Sequence, residues 1–269
     1  MATKTATFGE ELRRWRTARG VSQLDLAGAA EVSQRHVSFL ETGRSKPSPE
    51  MVVHLGRTLD LGLRDQNLLL GAAGYAPVYA ERGLDDPDLD QVRDVLTTLV
   101  AAHGHFPAYV VDRQWDLVLA NPMAQLIVGA VDPAPPASVA ANILRLTLHP
   151  EGLRPMIVNW EQLATTLIHR LEREVTHSPN DSGLQALYDE ARVYPGVDAL
   201  PTRSLLPDGN DLLVPVHANL GGVELRFFTT ITTIGAPFDI TLEGLRLETL
   251  LPADAETDTF LRQTSDSLN

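Results

Sequence analysis

His149, Glu151 and Arg154 fall within the short stretch HPEGLRPMIVNW, residues 149–160, which ends on Trp160. Side chains of these types could ligate a metal, act as an acid/base pair or clamp an anion. A second constellation is His103-Gly-His105. A hydrolytic zinc site needs three protein ligands and an open position, and this H-x-H pair follows a helical pattern in an expected loop. Nucleophilic catalysis has little to build on, because the chain has no cysteine and no G-x-S-x-G turn. The carboxylates Asp85 and Asp86 sit in an acidic, Pro/Gly-rich segment that reads as solvated. The residue types therefore imply no catalytic residues, no metal and no cofactor, and they leave a binding reading open.

The bulk composition narrows the classes. The chain has 269 residues, 43% of them hydrophobic, enough for one large domain or two ordinary ones. No apolar run approaches the ~18 residues of a membrane span, and the N-terminus MATKTATFGEEL lacks a signal-peptide pattern. With cysteine absent, a cytoplasmic protein is expected. The net charge of −13 argues at first against nucleic acid, but it is unevenly distributed. Residues 1–75 carry 10 basic and 8 acidic side chains, and residues 76–269 carry 12 and 27. One mildly basic end and one acidic remainder imply two domains with different partners.

The elements that must position these groups begin with five helical patterns before residue 75. Phe8, Leu12 and Trp15 recur at helical spacing in the first, which Gly20 ends. Ser22 caps a second, SQLDLAGAA, with Leu24, Leu26 and Ala27 expected inside. Ser33 caps a third, with Val37 and Leu40 inward and Gly43 as its stop. Two more run from Pro49 to about Leu59 and from Leu63 to Gly74. Two short helices joined by a tight turn match the geometry that enters a DNA major groove. Gln34, Arg35 and Ser38 share the outer face of the second, and Gln and Arg can read adenine and guanine edges. Gln23 and Ser33 lie at helix N-termini suited to phosphate, and Arg44 and Lys46 follow in a loop. The run Q-L-D-L-A…V-S-Q-R-H-V-S-F-L-E-T-G-R-S-K-P-S resembles the XRE family of helix-turn-helix repressors over residues 8 to about 74. One departure stands in the turn, where Glu31 replaces the family's usual Gly at a cost on the order of 1 kcal/mol.

Residues 77–90 read as a linker between a helix-turn-helix domain at 1–76 and a second domain at 91–262, with a polar tail at 263–269. In the second domain a helix is expected from about Asp88 to His103, with Leu89, Val92, Leu96, Leu99 and Val100 inward. A β-hairpin follows around Asp112 to Trp115, then short helices, then a long helix that Asn159 and Gln162 open as a capping box. Another helix, SGLQALYDEARVY, ends at Pro195. The last third alternates as strands: Leu212, Val214, Val216, Ala218 and Leu220, a Gly221-Gly222 turn, and Val223, Leu225, Phe227 and Ile231. GLRLETLLP offers one more strand. The order implies an α+β domain with an antiparallel sheet.

Three fragments, F-P-A-Y-V-V-D-R-Q-W-D-L-V-L-A-N, N-I-L-R-L-T-L-H-P-E…N-W and F-F-T-T-I-T-T-I-G-A-P-F-D-I-T-L-E-G-L-R-L-E…P-A-D, resemble the PAS-like ligand-binding domain of MmyB-like transcription regulators, over roughly residues 80–262. The resemblance implies a one-component regulator, a head that binds operator DNA on a PAS-like sensor that holds an apolar small molecule, a fatty acid or similar acyl chain; a homodimer is expected because a recognition helix reads only a half-site. Candidate wall residues are Val111, Leu119, Leu144, Leu148, Met156, Trp160, Leu225 and Phe227. Arg145, His149 and Arg154 are candidates for meeting a carboxylate. Taken singly, each wall residue reads more simply as ordinary core. Burying about twelve methylenes at roughly 0.8 kcal/mol each would give substantial affinity after entropic losses. Rival readings are a metabolite-modifying enzyme behind a DNA-binding head and a module that senses a protein partner.

Overall fold

In the computed structural model, which describes residues 6–200, 215–235 and 237–268, the chain folds as helices α1 (Phe8–Ala18), α2 (Gln23–Ala29), α3 (Gln34–Glu41), α4 (Pro49–Thr58) and α5 (Leu63–Ala72). There follow α6 (Asp90–Ala102), β1 (Ala108–Val111), β2 (Leu117–Ala120), α7 (Pro122–Gly129), α8 (Ala137–Ala140), α9 (Ile143–Leu148), α10 (Trp160–His177) and α11 (Ser182–Arg192). The chain closes with β3 (Val216–Leu220), β4 (Val223–Thr233), α12 (Ile240–Gly244), β5 (Arg246–Pro252) and α13 (Ala255–Leu268). It divides into two units. The first runs to Arg82 and includes the segment that ends at Glu243. The second begins at Gly83 and resumes at Gly244.

Local chemistry explains the first unit closely. Thr7, Ser22, Ser33 and Ser48 each cap a helix through the side-chain oxygen, satisfying N–H groups that a helix start leaves open. Helix α5 lacks such a side chain at Gly62. Its Leu63 N–H donates instead to both carboxylate oxygens of Glu243, at 3.1 and 3.0 Å. Beside this cap Ile240 packs with Leu63 and Tyr79, and Arg82 pairs with Asp239 at 2.7 Å. Helices α1 to α5 all end alike, on a left-handed residue whose N–H groups bond back into the last turn. Gly20, Gly43 and Gly74 adopt that conformation cheaply, whereas Glu31 and Asp60 hold it as L-residues at φ 52. The expected strain at Glu31 is therefore present.

Leu12, Trp15, Leu26, Val37, Leu40, Val52, Leu55 and Leu70 form this unit's core. Gly9 lets α1 approach α3, since a Cβ there would lie 2.5 Å from the Glu41 carbonyl. Leu24, expected inside, is 63% exposed, because α2 buries Leu26 and Ala27 and turns its first residues outward. The three first helices are pinned by one carboxylate. Glu41 accepts from Arg16 Nε at 2.6 Å and from Gln23 Nε2 at 2.7 Å, with its side chain 3% exposed. Burial pushes the Glu41 carboxyl up, but the donors Arg16 and Gln23 hold it net below its usual range.

The second unit is α+β with one antiparallel sheet among the described residues, in the order β2-β1-β5-β4-β3. The expected hairpin and meander form this one antiparallel sheet, with β5 pairing β1 on one side and β4 on the other. The Gly221-Gly222 turn is as expected, with φ of 59 and 90 and register Leu220↔Val223. Leu212 and Val214 lie outside the described residues. Leu89, Leu96 and Val100 are buried, but Leu99 on α6 is 44% exposed. Residues 263–268, read from sequence as tail, continue α13. Asn159 makes no capping bond to α10. It ties the helix start to β3, donating to the Pro215 carbonyl and accepting from the His217 N–H, at 2.7 and 2.9 Å.

Two substitutions test these local arguments. Glu31→Gly is expected to stabilise the first unit by about 1 kcal/mol, less the extra freedom it gives the unfolded chain, read as a higher melting midpoint. Glu41→Gln is expected to cost roughly 3 kcal/mol by leaving Arg16 unpaired. Because the Glu41 carboxyl titrates lower when folded, its contribution is full above the unfolded value near about 4.3 and is lost as pH falls through the folded one. Denaturant titrations between pH of about 3 and 6 should show the wild type losing stability toward acid, with the variant flatter over that range.

Candidate functional site

Helices α2 and α3 are joined by the turn at Glu31 and form a helix-turn-helix. At the start of α3, Ser33, Gln34 and Arg35 are exposed, with Ser38 half-buried one turn on. Ser33 Oγ is the N-cap and accepts from the His36 N–H at 3.1 Å. Arg35 lies over the Phe39 ring at 5.0 Å, and Arg44 reaches the same ring at 5.8 Å. Phe39 thus gathers two guanidinium groups around its ring. Lys46 lies over Tyr75 at 5.2 Å, and Tyr75 is itself anchored by its hydroxyl to the Pro47 carbonyl. Gln23, expected to meet phosphate, spends its amide on Glu41. Its backbone N–H at the α2 start is the part suited to an anion.

In the second unit a cavity of about 660 Å³ opens between one sheet face and helices α7, α9 and α10. Strand alternation explains its wall. In an antiparallel pair, residues directly opposite share a face, and the registers Val216↔Phe227 and Ala218↔Leu225 present four of them to the cavity. A second row runs across the sheet, Ala120 to Tyr109 to Glu248 to Ile231, through the pairings of β2, β1, β5 and β4. The wall is mostly apolar, the usual composition of a small-molecule site.

Of the wall residues expected from sequence, Met156, Leu225 and Phe227 line this cavity. Leu144, Leu148 and Trp160 pack into the core around α10 and α11, and Val111 is fully buried. Leu119 sits on β2, one residue from the lining residue Ala120. The three expected cationic partners are engaged elsewhere. Arg145 pairs with Glu190, through Nε at 2.9 Å and Nη2 at 2.8 Å. Arg154 donates to the Pro195 carbonyl and lies over Trp160 at 3.8 Å. The His149 ring stands edge-on to Tyr194, with Nδ1 accepting from the Glu151 N–H at 3.1 Å. The HPEGLRPMIVNW stretch is thus a tight connection whose end docks on β3, where the Val158 N–H donates to the His217 carbonyl at 2.7 Å. Gly152 permits the tightness, since any Cβ would meet the Leu146 carbonyl.

The cavity's polar groups come from residues that the sequence pattern did not single out. Trp115 adopts φ 67 in the β1–β2 turn, is fully buried, and carries guanidinium groups of Arg170 and Arg246 over its ring at 4.2 and 4.7 Å. Its indole N–H donates to Glu174 at 2.9 Å, and Arg246 pairs with the same carboxylate at 2.6 Å. Glu248 accepts from the Tyr109 hydroxyl at 3.0 Å. Burial and the neighbouring Glu248 push the Tyr109 hydroxyl well above its ordinary range, so it stays a donor. Arg170 belongs to a helix that reads as amphipathic, and its position four residues before Glu174 looks like an ordinary surface pair. Glu248, an acidic residue at a buried position of β5, was the one available signal.

No helix among the described residues is long and apolar enough to cross a membrane. The MmyB-like transcription regulator ligand binding domain model matches residues 92–263, and a helix-turn-helix domain model matches residues 7–69. The HTH-type transcriptional regulator DdrOP3 of Deinococcus deserti is 41% identical over 66 residues, 24% of this chain and 50% of that protein. The chain therefore matches about half the length of this relative. With the cavity-bearing unit matched along most of its length, the chain belongs to the family defined by the MmyB-like transcription regulator ligand-binding domain, carried behind a helix-turn-helix domain.

Proposed function

We propose that the protein is a cytoplasmic, non-enzymatic one-component regulator that binds double-stranded operator DNA as a homodimer and responds to an apolar ligand with a long acyl chain, of the kind a fatty acid carries. The observation that supports this best is the combination, in one chain, of a recognition helix with exposed Gln34 and Arg35 and an apolar cavity of about 660 Å³. A single recognition helix reads one half-site, so a two-fold operator calls for two copies. Arg35 and Gln34 would read base edges, while Ser33, Arg44 and Lys46 would hold phosphates. The acidic second unit would be repelled by DNA, leaving the basic face to dock. Ligand acts by binding one DNA-affinity state better than the other, since equal affinity for both would shift nothing.

Selected operators titrated by fluorescence anisotropy test the DNA arm. Arg35→Ala should relax base preference at one position by about 1–3 kcal/mol, whereas Lys46→Ala should weaken every sequence alike and reduce the salt slope by about one. An Arg35→Ala protein with unaltered operator preference would sink the assignment. For the ligand arm, Ala218→Trp places a large ring in the cavity. Native mass spectrometry of this variant should show any co-purifying lipid lost, with operator affinity retained in its ligand-free form. A lipid still bound at wild-type stoichiometry would place the site elsewhere.

A further inference from the structure

We infer that Phe39 is a positioning residue for operator recognition, its ring setting the base-reading Arg35 and the phosphate-holding Arg44 in register with each other. The inference rests on α3 being the recognition helix. Arg35 and Phe39 stand four residues apart on α3, so their side chains are neighbours on one helix face, and the Arg35 guanidinium lies 5.0 Å from the ring centre. Beyond the helix end Gly43 turns the chain back at φ 70, and the Arg44 N–H donates to the Phe39 carbonyl at 2.8 Å. With its backbone so held, Arg44 carries its guanidinium to 5.8 Å from the same ring centre. Both cations are within the ~6 Å over which a ring attracts them. One residue therefore meets both, Arg35 across a helical turn and Arg44 across a backbone bond.

An aromatic partner suits this task better than a carboxylate. A carboxylate cancels the charge of a guanidinium and occupies its N–H groups, as Glu41 does for Arg16 and Glu190 for Arg145. Attraction to a ring requires none of those donors, so the cation stays available to a base edge or a phosphate. Among the described residues no carboxylate pairs with Arg35 or Arg44, and both are exposed. Lys46 is arranged likewise over Tyr75. Phe39 is half-buried and stands outside the core cluster of its unit, so core packing does not account for an aromatic there. Holding two donors in place before DNA arrives lowers the ordering cost of contact.

Anisotropy titrations of the full-length protein on a selected operator, and on copies altered at the base pair whose preference depends on Arg35, test the inference. Phe39→Leu keeps an apolar side chain without a ring and should reduce discrimination at that pair by at least about threefold, while Phe39→Tyr should hold it within about twofold of wild type. In an Arg35→Ala background Phe39→Leu should change that discrimination no further, because the ring acts through Arg35. The salt slope of Phe39→Leu should also fall toward that of Arg44→Ala. Unchanged discrimination or an unchanged salt slope, in a Phe39→Leu protein whose circular dichroism is native, overturns the inference and leaves α3 as the recognition helix. So does an equal loss of affinity at all sequences in both backgrounds, the mark of a merely structural role. An operator preference that does not depend on Arg35 overturns both readings. Should Phe39→Leu fail to fold, proton NMR of the wild type decides. Upfield ring-current shifts on the side-chain protons of Arg35 and Arg44 are expected, and their absence overturns the inference.

Discussion

Strand β5 holds the second unit together by pairing on both edges at once. It inserts between a hairpin built from residues 108–120 and a hairpin built from residues 216–233, so Glu248 meets Tyr109 across 139 residues of sequence. Once that register is set, the alternation of strand side chains leaves no freedom about which residues face the helices. A slip of one residue would turn Glu248 and Leu250 away from the cavity and bring Leu247 and Thr249 in. The cavity, its polar floor and the bonding of Trp115 all follow from this one alignment.

Short-range features of the fold were legible in the sequence. Four of the five helices of the first unit carry their own side-chain caps and all five their own stops, so there propensity, capping and burial agree and the boundaries can be read locally. The hairpins were legible for the same reason: Gly221-Gly222 and the Asp112–Trp115 turn announce themselves. Long-range features were not. Nothing local says that β5 joins two hairpins into one sheet, and periodicity gives the inward face of β4 without saying what lies across from it. Arg145, His149 and Arg154 illustrate the limit. Cationic side chains beside an apolar run look like an anion clamp, but each finds a partner in α11 or the loop after it, elements far along the chain.

Both units use one carboxylate in the same way, to gather donors from several elements. Glu41 gathers Arg16 and Gln23 where three helices meet, and Glu174 gathers Arg170, Arg246 and Trp115 where the turn of a hairpin meets a helix. Ionic groups of this kind add little net stability compared with apolar packing, but removing one member is costly. They fix which surfaces meet. For Trp115, two stacked guanidinium groups and a carboxylate on the indole N–H hold a bulky residue in a left-handed conformation it would otherwise avoid.

The cap that α5 lacks at Gly62 has a consequence for the order in which the molecule can be made. Glu243 and Ile240 complete the first unit, yet they are translated after nearly all of the second. A nascent chain emerging from the ribosome forms its DNA-reading helices early, but α5 waits for its cap until β4 has been synthesised. The two units are interleaved in time as well as in sequence. The head is finished only when the strand that lines the cavity has already been delivered.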